Sequence, residues 1–97
     1  MERIYAIAQG QVQGVGFRYF IQTLARTLHL TGWVRNMRNG MVEMELQGEE
    51  SDLHQALRRI QRGDRFIQVS DLHTKTLPLH PQEKQFRVRF DDETYFR

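Results

Sequence analysis

An α+β sandwich, one sheet with its helices packed against a single face, is the fold class that this sequence predicts. Three observations point to it. Two segments place apolar residues three and four apart, as helices do. The remaining apolar positions fall in short runs of strand length. Two of those runs alternate with charged residues, so one sheet face is apolar and the other polar.

The first strand runs from Arg3 to Val12, rich in Ile, Ala, Tyr and Val. Gln13-Gly14-Val15-Gly16 is a turn, and Phe17, Phe20, Ile21, Leu24 and Leu28 form the stripe of a first helix. Gly32 to Asn36 is a second strand, followed by Asn39-Gly40, the strongest short-range hairpin signal. The third strand sets Val42, Met44 and Leu46 on one face and Glu43, Glu45 and Gln47 on the other, which should meet water. Ser51 is the expected N-cap of a second helix with Leu53, Ala56, Leu57 and Ile60 as its buried stripe and Gly63 as its stop. Phe66 to Thr76 gives a fourth strand. Leu77 to Pro81 is a loop, because Pro78 and Pro81 lack donors and restrain their predecessors. Phe86, Val88 and Phe90 against Gln85, Arg87 and Arg89 give a fifth strand.

The order is βαββαβ plus a short C-terminal fifth strand. Two helices cannot cover both faces, so the expected architecture is the ferredoxin-like sandwich: an antiparallel sheet with two helices on one face. Residues 1–97 read as a single domain, with no repeat or linker. The fold by itself names no function.

Composition narrows the chemistry. The 97 residues include no cysteine, which excludes disulfides, thiol nucleophiles and thiolate metal sites. No apolar run approaches the roughly 20 residues of a membrane span. The N-terminus lacks the charged-then-apolar layout of a signal peptide, so the expected location is cytoplasmic and no membrane is expected as a partner. The net charge of +2 favours anionic partners without choosing among them. His29, His54, His73 and His80 show no paired ligand spacing, so no metal and no cofactor are expected.

The turn between the first strand and first helix is the most informative segment. Gly14 and Gly16 let the backbone bend tightly and bring N–H groups close to a ligand. A helix start offers unpaired donors and partial positive charge, which together favour an anion. Arg18 stands in that first turn, where the macrodipole disfavours a cation by about 0.3–1 kcal/mol. An anion between the arginine and the N–H groups would resolve the conflict, and a guanidinium matches phosphate oxygens in bidentate fashion. The alternative is a plain glycine turn beside a solvated arginine. A nucleotide P-loop is excluded by the missing Gly-Lys-Ser/Thr ending, and a dinucleotide fingerprint by Tyr19 at the third glycine position.

Val12-Gln13-Gly14-Val15-Gly16-Phe17-Arg18-Tyr19-Phe20 resembles the phosphate-binding loop of the acylphosphatase family. Gly32-Trp33-Val34-Arg35-Asn36, followed by Gly40 and Val42-Glu43-Met44-Glu45, resembles the family's second signature, and Phe86 to Phe90 its closing strand. The likeness covers nearly the whole chain in the right order. It implies hydrolysis of acyl phosphates, small-molecule substrates, without a cofactor; a monomer is expected only by default. Arg18 and Asn36 would be catalytic. Arg18 and the backbone donors of Gln13, Gly14, Val15, Gly16 and Phe17 would hold the phosphate, and Asn36 would position the attacking water. Three departures stand out: His29 where the family often has glycine, a more basic turn at Met37-Arg38-Asn39, and a tail from Asp91 to Arg97 that has no assigned role.

The chemistry agrees with that assignment. An asparagine amide is no general base, but it can accept one hydrogen bond from water and donate another. An acyl phosphate expels a carboxylate, which needs no general acid, so positioning and charge stabilisation suffice. Two rivals differ in class. An RNA-binding module is disfavoured because the third strand carries two carboxylates and no aromatic, so no nucleic-acid partner is expected. A non-catalytic accessory domain that binds acyl or carbamoyl phosphate would share the loop. The exposed-face reading is preferred for Arg58, Arg59, Arg62 and Arg65, and a core or site-wall reading for Trp33 and Phe17.

Overall fold

The computed structural model describes residues 1–90; the tail Asp91 to Arg97 lies outside the described residues. Five strands and two helices follow in the order β1 (Glu2–Gln11), α1 (Phe17–Thr27), β2 (Thr31–Asn36), β3 (Val42–Gly48), α2 (Glu50–Arg62), β4 (Gln68–Leu77) and β5 (Phe86–Arg89). The sheet order is β4-β1-β3-β2-β5. The first four strands pair antiparallel, as the ferredoxin-like sandwich requires, whereas β5 joins β2 in parallel and makes the sheet mixed. Among the described residues no helix is long and apolar enough to cross a membrane.

Alternation decides which side the helices cover. The register aligns Ala6, Met44, Val34 and Val88 across four strands. This face, with Ile4, Ala8, Val42 and Leu46, is buried together with Phe17, Ile21 and Leu24 of α1 and Leu53, Ala56 and Ile60 of α2. Trp33 lies instead on the opposite face, half-buried, with the guanidinium carbons of Arg35 and Arg89 at 5.4 and 4.8 Å from its ring. Of the core or site-wall reading, Phe17 takes the core, whereas Trp33, whose odd position on β2 turns it away from the helices, does not.

The polar face meets less water than alternation alone implies. Glu43 and Gln47 are only 6% and 4% exposed. The Glu43 carboxylate accepts from the Tyr5 hydroxyl and from Arg35 Nε, each at 2.6 Å. Burial and then that hydrogen bond push the Tyr5 phenol well above its ordinary range. Gln47 pairs with the main chain of His80, accepting from its N–H at 2.8 Å and donating to its carbonyl at 3.1 Å. Arg3, also buried, donates to Glu45 at 2.7 Å and to both carboxylate oxygens of Glu83 at 2.7 and 3.2 Å. Residues 78–85 therefore cross this face on their way to β5.

One helix end differs in detail from expectation. The N-cap of α2 is Glu49, with no side-chain cap bond, and Ser51 falls inside the first turn. Gly63 does end α2. At the end of α1, His29 takes φ 58°, a left-handed conformation. The turn it makes lets Leu30 N–H reach the Ala25 carbonyl at 2.8 Å, satisfying a terminal acceptor.

Two stability predictions follow from these contacts. A non-glycine residue in the left-handed region costs about 1–2 kcal/mol, less for His than for most. His29→Gly should therefore raise stability by about 0.5–1 kcal/mol in urea unfolding; an unchanged or lowered midpoint contradicts the strain. For Glu83, burial alone would raise the carboxyl pKa, but the hydrogen bonds and charge of Arg3 outweigh it and hold it below its ordinary value. A lowered value means that the pair's stabilisation is present above the ordinary carboxylate range and is lost as pH falls through the folded value. Glu83→Gln should cost about 1–3 kcal/mol at neutral pH. Its melting temperature should also fall less steeply on acidification than that of the parent, which differential scanning calorimetry checks.

Candidate active site

Strand direction brings the predicted residues to one end of the sheet. Both β1 and β2 are antiparallel to β3, and β5 is parallel to β2, so all three finish at the same end. There lie the loop 12–16, Asn36 with the turn 37–41, and the end of β5. Just before the loop, the register of β1 against β4 shifts between Gln9 and Gly10. Gly10 has φ 124°, and a Cβ there would sit 2.2 Å from the Gln68 carbonyl oxygen, so no side chain fits this bulge.

The loop is pinned at both ends and open between. Val12 and Phe17 are each 1% exposed and belong to the core. Gly14 and Gly16 take φ 75° and 80°, with open space where a Cβ would point. Glycine is needed there for conformation and not for room. Gly16 is the N-cap of α1, and no side chain caps the helix. Its first turn holds no acid, whereas α2 places Glu50 and Asp52 in its own. The two helices thus treat their positive ends differently: α2 neutralises it with carboxylates, and α1 leaves it for something else.

Arg18 is half-buried beside that end. Its Nη1 donates to the Arg89 carbonyl at 3.0 Å, and its guanidinium carbon lies 4.5 Å from the centre of the Phe90 ring. The fork is therefore held from the β5 side, with its remaining donors unpartnered among the described residues. Phe90, expected with Phe86 and Val88 on the buried face, is 70% exposed. It lies just past the end of β5, where the core stops.

Asn36 is the last residue of β2, half-buried, paired with Val42 and on the helix-side face with Val34. The Gln13 side chain reaches that region: its Nε2 donates to the Met37 and Met41 carbonyls at 2.7 and 2.8 Å. Its amide group is thus engaged with the hairpin, and only its backbone N–H remains on the loop's donor side. Asn39 behaves as the expected hairpin residue, its Oδ1 accepting from Met41 N–H at 3.0 Å.

The other singled-out residues lie elsewhere. His29, His54, His73 and His80 are exposed, as are Arg58, Arg59, Arg62 and Arg65. One grouping escaped spacing analysis: ligand atoms of Glu2, Glu50 and His54 all lie within 4.8 Å of one another. It joins the start of β1 to the start of α2, away from the loop that follows the end of β1. The latch between Arg18 and β5 also escaped it, since nothing local in the sequence announces a parallel fifth strand.

The comparisons with known proteins point one way. A sequence model of the family described as acylphosphatase matches residues 4–88. An acylphosphatase from Geobacillus thermodenitrificans is 48% identical over 90 residues, 93% of this chain and 96% of that one. The crystal structure of acylphosphatase from Bacillus subtilis superposes with a TM-score of 0.87 at 34% identity, covering 92% of this chain and 99% of that one. Full-length HypF, in a phosphate- and nucleotide-bound form, gives 0.83 at 26% identity, covering 97% of this chain but 13% of that longer one.

A cradle of N–H donors and one anchored guanidinium should bind a phosphate dianion. Arg18→Ala should weaken inorganic phosphate binding by about ten-fold or more, since a charge-assisted hydrogen bond contributes about 1.5–3 kcal/mol. Arg18→Lys should recover only part of it, because an ammonium cannot reproduce the fork. Phosphate titration by calorimetry or 31P NMR reads both; parental affinity in the alanine variant contradicts the assignment.

Proposed function

The chain belongs to the acylphosphatase family, and from that premise we propose that Arg18 and the backbone N–H groups of residues 13–18 hold the substrate phosphoryl group while Asn36 directs the attacking water. The enzyme is a hydrolase of acyl phosphates, releasing a carboxylate and inorganic phosphate. One observation carries the site assignment: the Arg18 guanidinium is anchored on the Arg89 carbonyl at the same sheet end as the glycine loop and Asn36.

In this scheme the phosphoryl oxygens sit among loop N–H groups at the uncapped start of α1, with the free edge of the Arg18 fork beside them. Charge spreads over those oxygens in the transition state, and donors fixed beforehand stabilise it without reorganising. Asn36 accepts a hydrogen bond from one water and fixes its line of attack. The water oxygen bonds to phosphorus, and the bond from phosphorus to the acyl oxygen breaks. The carboxylate leaves with the electron pair, and a phosphate oxygen takes up the water proton. No step calls for a general base from the protein or for a metal.

The likeness to HypF, in which the matched region is a small part of a longer chain, favours a second reading: a domain that binds an acyl or carbamoyl phosphate without turning it over. Turnover of benzoyl phosphate by the pure protein in EDTA rules that reading out.

Asn36→Ala should lower turnover of benzoyl phosphate by about 10²–10³, the usual effect of losing one positioned hydrogen-bonding group. Competitive inhibition by inorganic phosphate should change little, because the anion cradle is intact. A variant that melts early yet turns over normally in the cold would make Asn36 a structural residue and end this assignment.

A further inference from the structure

We propose that Gln13 is a positioning residue, which sets the separation between the phosphate loop and Asn36 and so acts on turnover more than on phosphate binding. The inference rests on the reading of Asn36 given above. Gln13 Nε2 carries two hydrogens, and both are used: one on the Met37 carbonyl at 2.7 Å, one on the Met41 carbonyl at 2.8 Å. Met37 follows Asn36 directly, and Met41 precedes Val42, the strand partner of Asn36. One side chain from the loop therefore grips the two main-chain groups that flank the Asn36–Val42 pair.

Turn stabilisation alone does not explain this contact. The turn closes by itself, through Met37 N–H to the Met41 carbonyl at 2.8 Å, Gly40 N–H to the Met37 carbonyl at 3.3 Å and Met41 N–H to Asn39 Oδ1 at 3.0 Å. What Gln13 adds is a link between elements 24 and 28 residues apart in sequence. That link matters because β3 lies between β1 and β2, so the loop and Asn36 share no strand pairing. In-line attack needs the water and phosphorus aligned, and a misplacement of about 1 Å can cost about 10²-fold in rate. The phosphate cradle, in contrast, is held by Val12, Phe17 and the glycines, none of which depends on the Gln13 amide.

The test is a double-mutant cycle on benzoyl phosphate hydrolysis, with phosphate inhibition and melting temperature measured on each protein. Gln13→Met keeps length and removes the donors; Gln13→Glu keeps shape and faces the two carbonyls with an acceptor. Each should lower kcat by about ten-fold or more per folded molecule, with the phosphate inhibition constant within about two-fold of the parent. In an Asn36→Ala background, Gln13→Met should cost less than about two-fold further. Three results would overturn the proposal: unchanged turnover per folded molecule, a loss of phosphate affinity as large as the loss of kcat, or fully additive effects of the two substitutions. Parental turnover in Asn36→Ala alone is a separate failure, of the catalytic reading on which the proposal stands.

Discussion

The buried charge cluster around Arg3 is the contact on which the rest of the architecture depends. The fourth and fifth strands lie at opposite edges of the sheet, with three strands between them. That distance is four strand spacings, about 19 Å. The connection from Leu77 to Phe86 could span about 30 Å when extended, so it reaches across without a helix, its spare length taken up in a turn closed by Glu83 N–H on the His80 carbonyl at 3.1 Å. A segment without regular structure over a sheet face leaves its peptide groups in need of partners. Gln47 supplies two of them at His80, and Arg3 fixes Glu83 with a two-point bond. An apolar patch could not do this, because what must be met there is polar. The result is a short parallel strand whose last carbonyl holds the guanidinium of Arg18. Charges at one end of the sheet thereby place a cation at the other.

The helices show how stability and function divide the fold. The second follows ordinary electrostatics, with Glu50 and Asp52 at its start and Arg59 and Arg62 at its end. The first keeps a basic residue, Arg26, in its last turn but departs from that pattern at its start. Its start has a left-handed glycine, no cap and no acid, and carries an arginine in the first turn. Its end bends through a left-handed histidine. The unfavourable start makes sense as a prepared anion site, since an acid there would repel an incoming anion. The histidine has no such role: its turn brings Leu30 N–H to the Ala25 carbonyl, which a glycine would do without the strain.

Much of this was legible in the sequence because it depends on near neighbours. The alternation of Val42 to Gln47 fixes which face is apolar, and Asn39-Gly40 marks the hairpin that ends close to Asn36. The Gly14 and Gly16 pair marks the loop. What was not legible depends on long-range geometry. The parallel pairing of the fifth strand follows from where an eight-residue link can reach. The burial of Glu43 and Gln47 follows from what crosses above them, and alternation sees only one strand at a time. Residue type alone makes Trp33 a core or site-wall candidate, yet its odd position puts it among arginines. Ser51 has the residue type of a cap, although the chain enters the helix two residues earlier. The Gln13 amide is the clearest case, since a bond between residues 24 positions apart leaves no local trace.

That amide has one further consequence. It reads main-chain carbonyls, which every amino acid possesses, and no side chain of the turn it holds. The identities of Met37 and Arg38 are therefore released from the task of holding the hairpin in place, and the turn is open to drift in sequence without loss of the link. Proline is the exception at 37, 40 and 41, where an N–H is used. The rim beside Asn36 can thus change its charge over evolutionary time while the backbone beneath it stays in register, which gives selection a surface for tuning which anions approach.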